Sequence, residues 1–284
     1  MPSPIVVATD FSTRSDRALR RSSIIAKRTG AELLLVHVVD NDQPQYIIDA
    51  EVDASSSLLD EATQGLCSVD SLSAGSRVIV GDVYSGLLEV AEEADASLLV
   101  LGPHRRLLRD AFIGTTAERV IAHSERPVLL AAGVPAAPYP SALIALEMDD
   151  VSECAVVRLL ELSIVEPSTL VALHAFDAPA EGMMRRAMSE TDAIAHYLRA
   201  EGRSAAKEFK EFLDSIGLAP ARQVVVPIRG TAAGTILEAA ASEDVSLVIV
   251  GTSQKTGIRR MVLGSVAEDV LGNADRDVLV IPEG

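Results

Sequence analysis

The chain has 284 residues, of which 48% are hydrophobic and only 3% aromatic, with no tryptophan. Its formal net charge of −16 opposes binding to nucleic-acid backbones and to anionic membrane surfaces. The sequence contains no run of about 18 apolar residues, which a membrane-spanning helix requires, and no charged leader before the first apolar run. We therefore expect a cytoplasmic protein with no nucleic-acid or membrane partner.

The two cysteines, Cys67 and Cys154, lie apart in helical patterns. Neither belongs to a C-x-x-C or Cys/His spacing, so the sequence predicts no metal site. We predict that both are small, buried side chains in a reducing compartment.

Short apolar runs alternate with helical patterns along the first half of the chain. The predicted strands lie at residues 5–10, 33–38, the run before Gly81, 98–102 and 127–130. The predicted helices lie at residues 15–29, 84–94 and 116–123. Gly30 is placed to end the first helix, as a glycine just beyond a helix commonly does.

The second half repeats this pattern in the same order. Its predicted strands lie at residues 143–147, 170–175, the run before Gly230, 247–251 and 277–280. Its predicted helices lie at residues 152–164, 191–216, 232–241 and 266–271. The first two strands recur 137 positions later, and the third and fourth recur 149 positions later. Constant spacing within blocks indicates a tandem duplication with loop insertions.

Strands that alternate with helices predict an α/β fold with a parallel sheet covered by helices on both faces. We expect two tandem open five-stranded parallel sheets of Rossmann-like topology. The first domain is predicted at residues 1–134, a proline-rich linker at 135–140 and the second domain at 141–284. Residues 40–57 are predicted to be a mobile loop, and residues 177–189 are its counterpart.

Ligands of open parallel sheets bind at the carboxyl ends of the strands, where the strand order reverses. After the fourth strand, the second half reads GTSQKTGIRRMVLGS from Gly251 to Ser265. The first half reads GPHRRLLRDAFIGT from Gly102 to Thr115, followed by Thr116. A glycine at the end of a strand allows close approach of a ligand, and a helix that begins at Gly-Ser offers free N–H groups to phosphate oxygens.

These stretches resemble the nucleotide motif of the universal stress protein A family: Gly, two residues, Gly, nine residues, Gly, then Ser or Thr. The second half has Gln254 at the second glycine and keeps Gly264 and Ser265, with Val266 next in the helix. The first half has Arg105 at the second glycine and is one residue shorter before Gly114. Both halves depart from the family pattern. The resemblance spans the whole chain and implies two domains of the adenine nucleotide alpha hydrolase-like fold.

The resemblance also assigns roles at the first two strands. Asp10, after Thr9, resembles the family acid that reaches the ribose or a metal-bound phosphate, and Glu147 stands at its place in the second half. By the same resemblance, the backbone near Val38 and Val39 meets the adenine, as does the backbone near Phe176 in the second half.

Each of these residues also has a purely structural interpretation. Gly102 and Gly251 are equally consistent with tight turns, and Gly114-Thr115 and Gly264-Ser265 with helix N-caps. Asp10 and Glu147 are placed to cap the helices that follow. We predict that His37 and His174 are packed strand residues, and we predict no catalytic residue.

The leading hypothesis is a stress-response regulatory or sensory protein that binds ATP, ADP or AMP in one half or in neither, with Mg²⁺ only if ATP binds. The alternatives are an interaction scaffold for an unidentified client protein and a slow ATP hydrolase. Since pairing through the last strand usually joins separate chains in the family, the resemblance implies that residues 128–130 pair with residues 278–281 within this chain. Assembly into a higher homo-oligomer stays open.

Overall fold

The structure is a computed structural model, and it describes residues 3–103, 116–187, 191–220, 222–252 and 263–283. Within these ranges each half has five strands and at least four helices, in the same order. The elements of the first half are β1 (Ile5–Ala8), α1 (Thr13–Thr29), β2 (Leu33–Val39), α2 (Gln45–Ser68), β3 (Ala74–Val80), α3 (Val83–Glu93), β4 (Leu98–Leu101), α4 (Thr116–His123) and β5 (Val128–Leu130).

The second half repeats this order, with one more short helix. Its elements are β6 (Ala142–Ala145), α5 (Asp150–Leu162), β7 (Leu170–Phe176), α6 (Pro179–Arg186), α7 (Thr191–Ser215), β8 (Arg222–Pro227), α8 (Ala232–Ser242), β9 (Leu247–Thr252), α9 (Ser265–Asn273) and β10 (Asp277–Pro282). A one-turn 3₁₀ helix (Pro167–Thr169) precedes β7.

The ends of α1 show why this segment is helical. The side chain of Ser12 accepts hydrogen bonds from the backbone N–H groups of Arg14 and Ser15, which is the usual N-cap arrangement. Gly30 follows the last turn with φ of 73°, a left-handed conformation that glycine adopts without steric cost. The predicted end of this helix is therefore confirmed.

The ten strands form one sheet with the order β3-β2-β1-β4-β5-β10-β9-β6-β7-β8. All pairs within each half are parallel, which confirms the predicted α/β class. In each half the strand order reverses at the first strand, between β1 and β4 and between β6 and β9. Since crevices in such sheets open at this point, it is where a ligand site is expected.

The two halves meet where β5 pairs with β10, as the family resemblance implied. This pair is antiparallel, and Leu129 lies opposite Leu279. Both side chains are fully buried. The last strands of the two halves therefore shield each other from solvent, and the first and second halves share one continuous sheet.

Buried side chains form one layer on each face of this sheet. The helices α1, α2, α5 and α7 cover one face, and the helices α3, α4, α8 and α9 cover the other. The central strands are buried on both faces because helices pack on each face of the sheet, which explains the nearly uninterrupted apolar sequence of these strands.

The predicted loop at residues 40–57 is wrong, because most of this segment belongs to the 24-residue helix α2. The side chains of Ile48, Ser55, Leu59 and Leu66 repeat every four or seven residues and are buried. The short polar residues between them obscure this stripe in the sequence. The counterpart segment is also partly helical, since α6 begins at Pro179, where the missing N–H of proline is tolerated.

The cysteine prediction is wrong for Cys67, whose side chain is exposed on α2. Cys154 is partly buried, and its thiol donates to the carbonyl oxygen of Glu283 at 2.8 Å. The error at Cys67 has the same origin as the missed helix, because the buried face of α2 was not identified.

Candidate functional site

Two cavities lie at equivalent places, one in each half, at the carboxyl ends of the strands. The first has a volume of about 390 Å³ and opens between β1 and β4. The second has a volume of about 310 Å³ and opens between β6 and β9. Both volumes are in the usual range of small-molecule pockets, about 300–1,000 Å³.

The first cavity brings together five of the residues that were predicted from the sequence. It is lined by Thr9, Asp10, Val38, Gly102 and Thr116. Their strands are separated by tens of residues in sequence, and the parallel sheet places their ends side by side. The first strand, the second strand, the fourth strand and the following helix thus contribute to one site.

Asp10 is positioned by a turn before α1. Its Oδ1 accepts a hydrogen bond of 3.0 Å from the backbone N–H of Ser12, and Arg14 Nη2 lies 3.9 Å from its Oδ2. The cap of α1 is Ser12, so Asp10 does not itself cap the helix. Its carboxyl side chain is 61% exposed. Asp10 is therefore available to a ligand in the cavity.

The surroundings of Asp10 favour its charged form. Partial burial raises the pKa of this carboxyl, but hydrogen bonds from Ser12 and Ser15 and the positive charge of Arg14 outweigh that effect. The pKa therefore lies below its ordinary value, and Asp10 is an anion at neutral pH.

The two histidines at the ends of β2 and β7 make the same contact. His37 Nδ1 lies 2.8 Å from the carbonyl oxygen of Thr9, and His174 Nδ1 lies 3.0 Å from that of Leu146. A carbonyl oxygen only accepts, so Nδ1 is the protonated nitrogen in both rings. Each histidine ties the end of one strand to its neighbour, which is the structural role that the sequence analysis favoured. The ring of Phe11 packs on that of His37 in a tilted arrangement, with the ring centroids 4.6 Å apart.

The two strand-end glycines line the cavities but also pack against helices. A Cβ on Gly102 would lie 2.8 Å from the carbonyl oxygen of Arg14, closer than real contacts allow. A Cβ on Gly251 would lie 3.2 Å from Cγ1 of Val151. Gly102 is thus required by the close approach of α1, with or without a ligand.

The phosphate end of the predicted motif is described in the second half. Gly264 precedes α9 as its N-cap residue and has no side chain with which to cap this helix end. Gly264, Ser265 and Val266 all line the second cavity, so the first N–H groups of α9 lie at its edge. Arg105, Gly114, Thr115 and Gln254 lie outside the described residues.

The acid end of the second cavity differs from that of the first. Glu147 is exposed at the cavity, and its backbone N–H donates to the hydroxyl of Ser152. The helix cap is Asp149, whose Oδ1 accepts from the N–H of Ser152. The described lining of this cavity thus holds two carboxylates and no arginine, lysine or histidine.

Two predicted adenine contacts are not in the cavity linings. Val39 is buried next to Val38, and its carbonyl oxygen accepts from the N–H of Gly81. Phe176 packs on the far side, where its ring would lie 3.5 Å from a Cβ on Gly202. Of the strand-end positions predicted to meet the adenine, Val38 lines the first cavity, and Ala175, which precedes Phe176, lines the second.

Sequence reasoning missed Arg14, the cation that lines the first cavity beside Asp10. Its position four residues after Asp10, on the first turn of a helix, is a signal that the sequence does contain. It also missed Asp149, which follows the strand-end acid Glu147 by two residues and caps α5.

Within the described ranges, no group of three or more His, Cys, Asp or Glu side chains is arranged to hold a metal ion. In the same part of the chain, no helix combines the length and the apolar character needed to cross a membrane.

Comparison with known protein families matches both halves of the chain to the same family. The model of the universal stress protein family matches residues 1–132 and residues 138–282. The universal stress protein MJ0531 of Methanocaldococcus jannaschii is 30% identical over 149 residues, covering 50% of this chain and 82% of that protein. The universal stress protein A homolog 1 of Coxiella burnetii is 26% identical over 125 residues, covering 41% of this chain and 87% of that protein.

A solved structure extends the similarity to the entire chain. The crystal structure of a universal stress protein from Archaeoglobus fulgidus aligns over 100% of both chains with a TM-score of 0.72 and 18% identity. At this identity the similarity concerns the fold alone. The chain belongs to the universal stress protein family and carries two copies of the family domain in one polypeptide.

Proposed function

We propose that this protein acts in the stress response as a non-enzymatic regulatory or sensory module that binds an adenine nucleotide in the cavity of its first half. Membership of the universal stress protein family supports the stress-response role. The observation that supports the ligand is the convergence of Asp10, the strand end at Val38 and the start of α4 at Thr116 on one cavity. Such a cavity offers an acceptor for ribose hydroxyls, an apolar wall for a base and a helix start for phosphate.

The charges at the two cavities favour nucleotide binding in the first half over the second. In the first cavity Arg14 offsets the charge of Asp10, whereas the described lining of the second holds the carboxylates of Glu147 and Asp149. Two carboxylates repel the phosphates of ATP, ADP or AMP, although the start of α9 attracts them. We therefore propose that the first half binds more tightly, and that Mg²⁺ enters only together with ATP.

Isothermal titration of the intact chain with ATP, ADP and AMP tests this proposal. Asp10→Asn is the informative variant, because its side-chain oxygen still accepts from the N–H of Ser12 while the charge is removed. We expect the affinity to fall about tenfold or more, the typical effect of losing a hydrogen bond to a charged group. Glu147→Gln is the matched variant of the second half and leaves the affinity for the first equivalent of nucleotide unchanged.

Absorbance near 260 nm provides an independent test. The chain has four tyrosines and no tryptophan, so its own absorption is low and a co-purified nucleotide is easily detected. If no nucleotide co-purifies and no heat is released at high protein concentration, the result counts against nucleotide binding.

The second candidate is a scaffold for a client protein that works without nucleotide. The packing of Gly102 against the backbone of Arg14 favours it, because this contact explains the glycine without any ligand. In this case the association with the client is the same with and without added nucleotide. Slow ATP hydrolysis is a third candidate, with Asp10 as the residue to test. Phosphate release that is the same for the wild type and Asp10→Asn excludes a catalytic Asp10.

A further inference from the structure

Arg21 on α1 and Arg158 on α5 are equivalent residues of the two halves. They lie 137 positions apart, the same separation as the helix caps Ser12 and Asp149. The strand registers identify a second equivalent pair. Leu99 pairs with Val128 in the first half and Val248 pairs with Val278 in the second, so Pro127 stands at the place of Asp277.

Around Arg21, the chain supplies both an anion and an aromatic ring. Arg21 Nε lies 2.8 Å from Asp277 Oδ2, and the centre of its guanidinium lies 4.1 Å from the centroid of the Tyr139 ring. The hydroxyl of Tyr139 donates to the same carboxylate oxygen at 2.6 Å. All three side chains are buried. The carboxylate of Asp277 and the ring of Tyr139 thus satisfy this arginine in the interior.

Around Arg158, the corresponding groups are absent from the sequence. Pro127 replaces the carboxylate, and the residue 137 positions before Tyr139 in the sequence is Pro2. Nη1 of Arg158 donates to the carbonyl oxygens of Glu125 and Pro282, at 3.1 and 3.0 Å. Nε and Nη2 make no hydrogen bond to any residue that the structure describes.

The largest of the three cavities described lies beside Arg158, at the amino ends of β1 and β4. Its volume is about 680 Å³. Both halves contribute to it, because α5 of the second half faces the strands of the first. Its apolar wall consists of Ile5, Ile25, Leu98, Leu162 and Ile164. This edge of the sheet is opposite to the one that carries the first nucleotide cavity; because β5 and β10 are antiparallel, it is the edge that carries the second, whose lining residues are different.

The other charged side chains at this cavity do not neutralise Arg158. Arg126 is paired with Asp95, 2.8 Å away. Glu125 and Glu161 line the cavity, but within the described part of the chain neither forms an ion pair with Arg158. Arg158 thus has two nitrogen donors, Nε and Nη2, that no described residue accepts from, and it borders a cavity with an apolar wall.

We propose that this interface cavity, formed by both halves, binds a small aromatic carboxylate. The carboxylate pairs with Nε and Nη2 of Arg158, much as the carboxylate of Asp277 binds Nε of Arg21, and the ring packs against the apolar wall and the guanidinium. Guanidinium groups suit both contacts, because they bind carboxylates through parallel hydrogen bonds and stack on aromatic faces. The site is separate from the nucleotide cavities and does not depend on the proposed function.

The probe is 4-hydroxyphenylacetate, which joins the phenol of a tyrosine to a carboxylate. Binding to the intact protein is measured by isothermal titration, with acetate and 4-methylphenol as probes that lack the ring or the carboxylate. We expect 4-hydroxyphenylacetate to bind more tightly than either fragment. Arg158→Met is expected to weaken binding about tenfold or more, the typical effect of losing a charge-assisted hydrogen bond. Arg203→Met, at an exposed arginine of α7, is the control and leaves it unchanged.

Pro127→Asp tests the equivalence of the two sides directly. It places a carboxylate at the position that Asp277 occupies beside Arg21, and we expect it to compete with the probe and lower its affinity about tenfold or more. This variant also decides the matter if Arg158→Met does not fold, as judged by circular dichroism. The proposal is overturned if 4-hydroxyphenylacetate does not bind, if both variants bind it as the wild type does, or if ATP displaces it competitively.

Discussion

Arg21 and Asp277 form a buried ion pair, although 256 residues separate them in the sequence. Their side chains are 5% and 1% exposed. Arg21 belongs to α1 of the first half, and Asp277 begins β10 of the second. The end of the first domain and the linker join the same cluster, since Gly133 N donates to Asp277 Oδ1 at 2.7 Å and Arg21 Nη1 donates to the carbonyl oxygen of Ala137 at 2.8 Å. This cluster of Arg21, Asp277 and their hydrogen-bond partners connects the linker to both halves.

We expect Arg21→Met to destabilise the protein strongly. The substitution leaves the carboxylate of Asp277 buried without its cation, a change that typically costs about 3–5 kcal/mol. Equilibrium urea unfolding of the intact chain measures the change in the free energy of unfolding. Arg203→Met is the control for loss of an arginine from an exposed helix surface and changes it by about 0.5 kcal/mol or less. A similar, small effect of both substitutions contradicts the importance of the buried pair.

We expect Tyr139→Phe to cost about 1–3 kcal/mol at neutral pH, because it removes a buried hydrogen bond to a charged group. Burial and the nearby charge of Asp277 raise the pKa of Tyr139 well above its ordinary value. The folded state therefore holds this proton more tightly than the unfolded state. The stabilisation is complete below pH 10, the ordinary pKa, and is lost as the pH rises through the folded-state pKa.

The difference in stability between the wild type and Tyr139→Phe should accordingly shrink above pH 10, by at most about 1.4 kcal/mol per pH unit. Thermal or urea unfolding at several pH values from neutral to alkaline measures it. Tyr46→Phe, at a residue that is 72% exposed, is the control at neutral pH and is expected to have little effect. A difference that is constant across this pH range is inconsistent with the raised pKa.

We expect Gly102→Ala to destabilise the first half. The added Cβ meets the backbone of Arg14 at 2.8 Å, and backbone atoms cannot move aside as a flexible side chain can. Overpacking of this kind typically costs about 1–3 kcal/mol. Gly65→Ala is the matched control within α2, where the new Cβ has nothing within 4 Å. It should stabilise the helix by about 0.5–1 kcal/mol, as alanine does relative to glycine.

The two thiols should react at different rates with a thiol reagent such as 5,5′-dithiobis(2-nitrobenzoate). Cys67 is exposed, whereas the thiol of Cys154 is partly buried and donates to the carbonyl oxygen of Glu283. We expect one fast and one slow phase, and Cys67→Ser should abolish the fast phase. Loss of the fast phase in Cys154→Ser instead contradicts the exposure of Cys67 and the position of α2.

Much of the fold is predictable because it depends on local patterns. The apolar runs at β1 and β6 predict strands that are buried on both faces, and Gly30 ends α1 because glycine readily adopts the left-handed conformation. The same patterns do not predict α2, because its buried stripe includes Ser55 and its exposed positions hold many residues that are also common in loops. The stripe becomes evident only when the side chains meet β3.

The candidate site is predictable in part for a related reason. Parallel strands bring their carboxyl ends to one edge, which groups Asp10, Val38 and Gly102 before any contact is known. The directions of individual side chains are not fixed in this way. Val39 is buried outside the first cavity, and the ring of Phe176 packs next to Gly202 of α7 outside the second, because the packing of other elements decides these positions.

The sequence by itself determined the duplication and the alternation of strands and helices, whereas the pairing of the last strands of the two halves was implied by the family resemblance. These features depend on periodicity and on repeated order, which are written along the chain. Only the tertiary structure decided that Arg21 meets Asp277 while its equivalent, Arg158, faces an interface cavity. The two arginines occupy equivalent positions in the sequence, and their surroundings differ because Asp277, 256 positions away, supplies a carboxylate to Arg21, whereas a proline, Pro127, stands at the equivalent place beside Arg158.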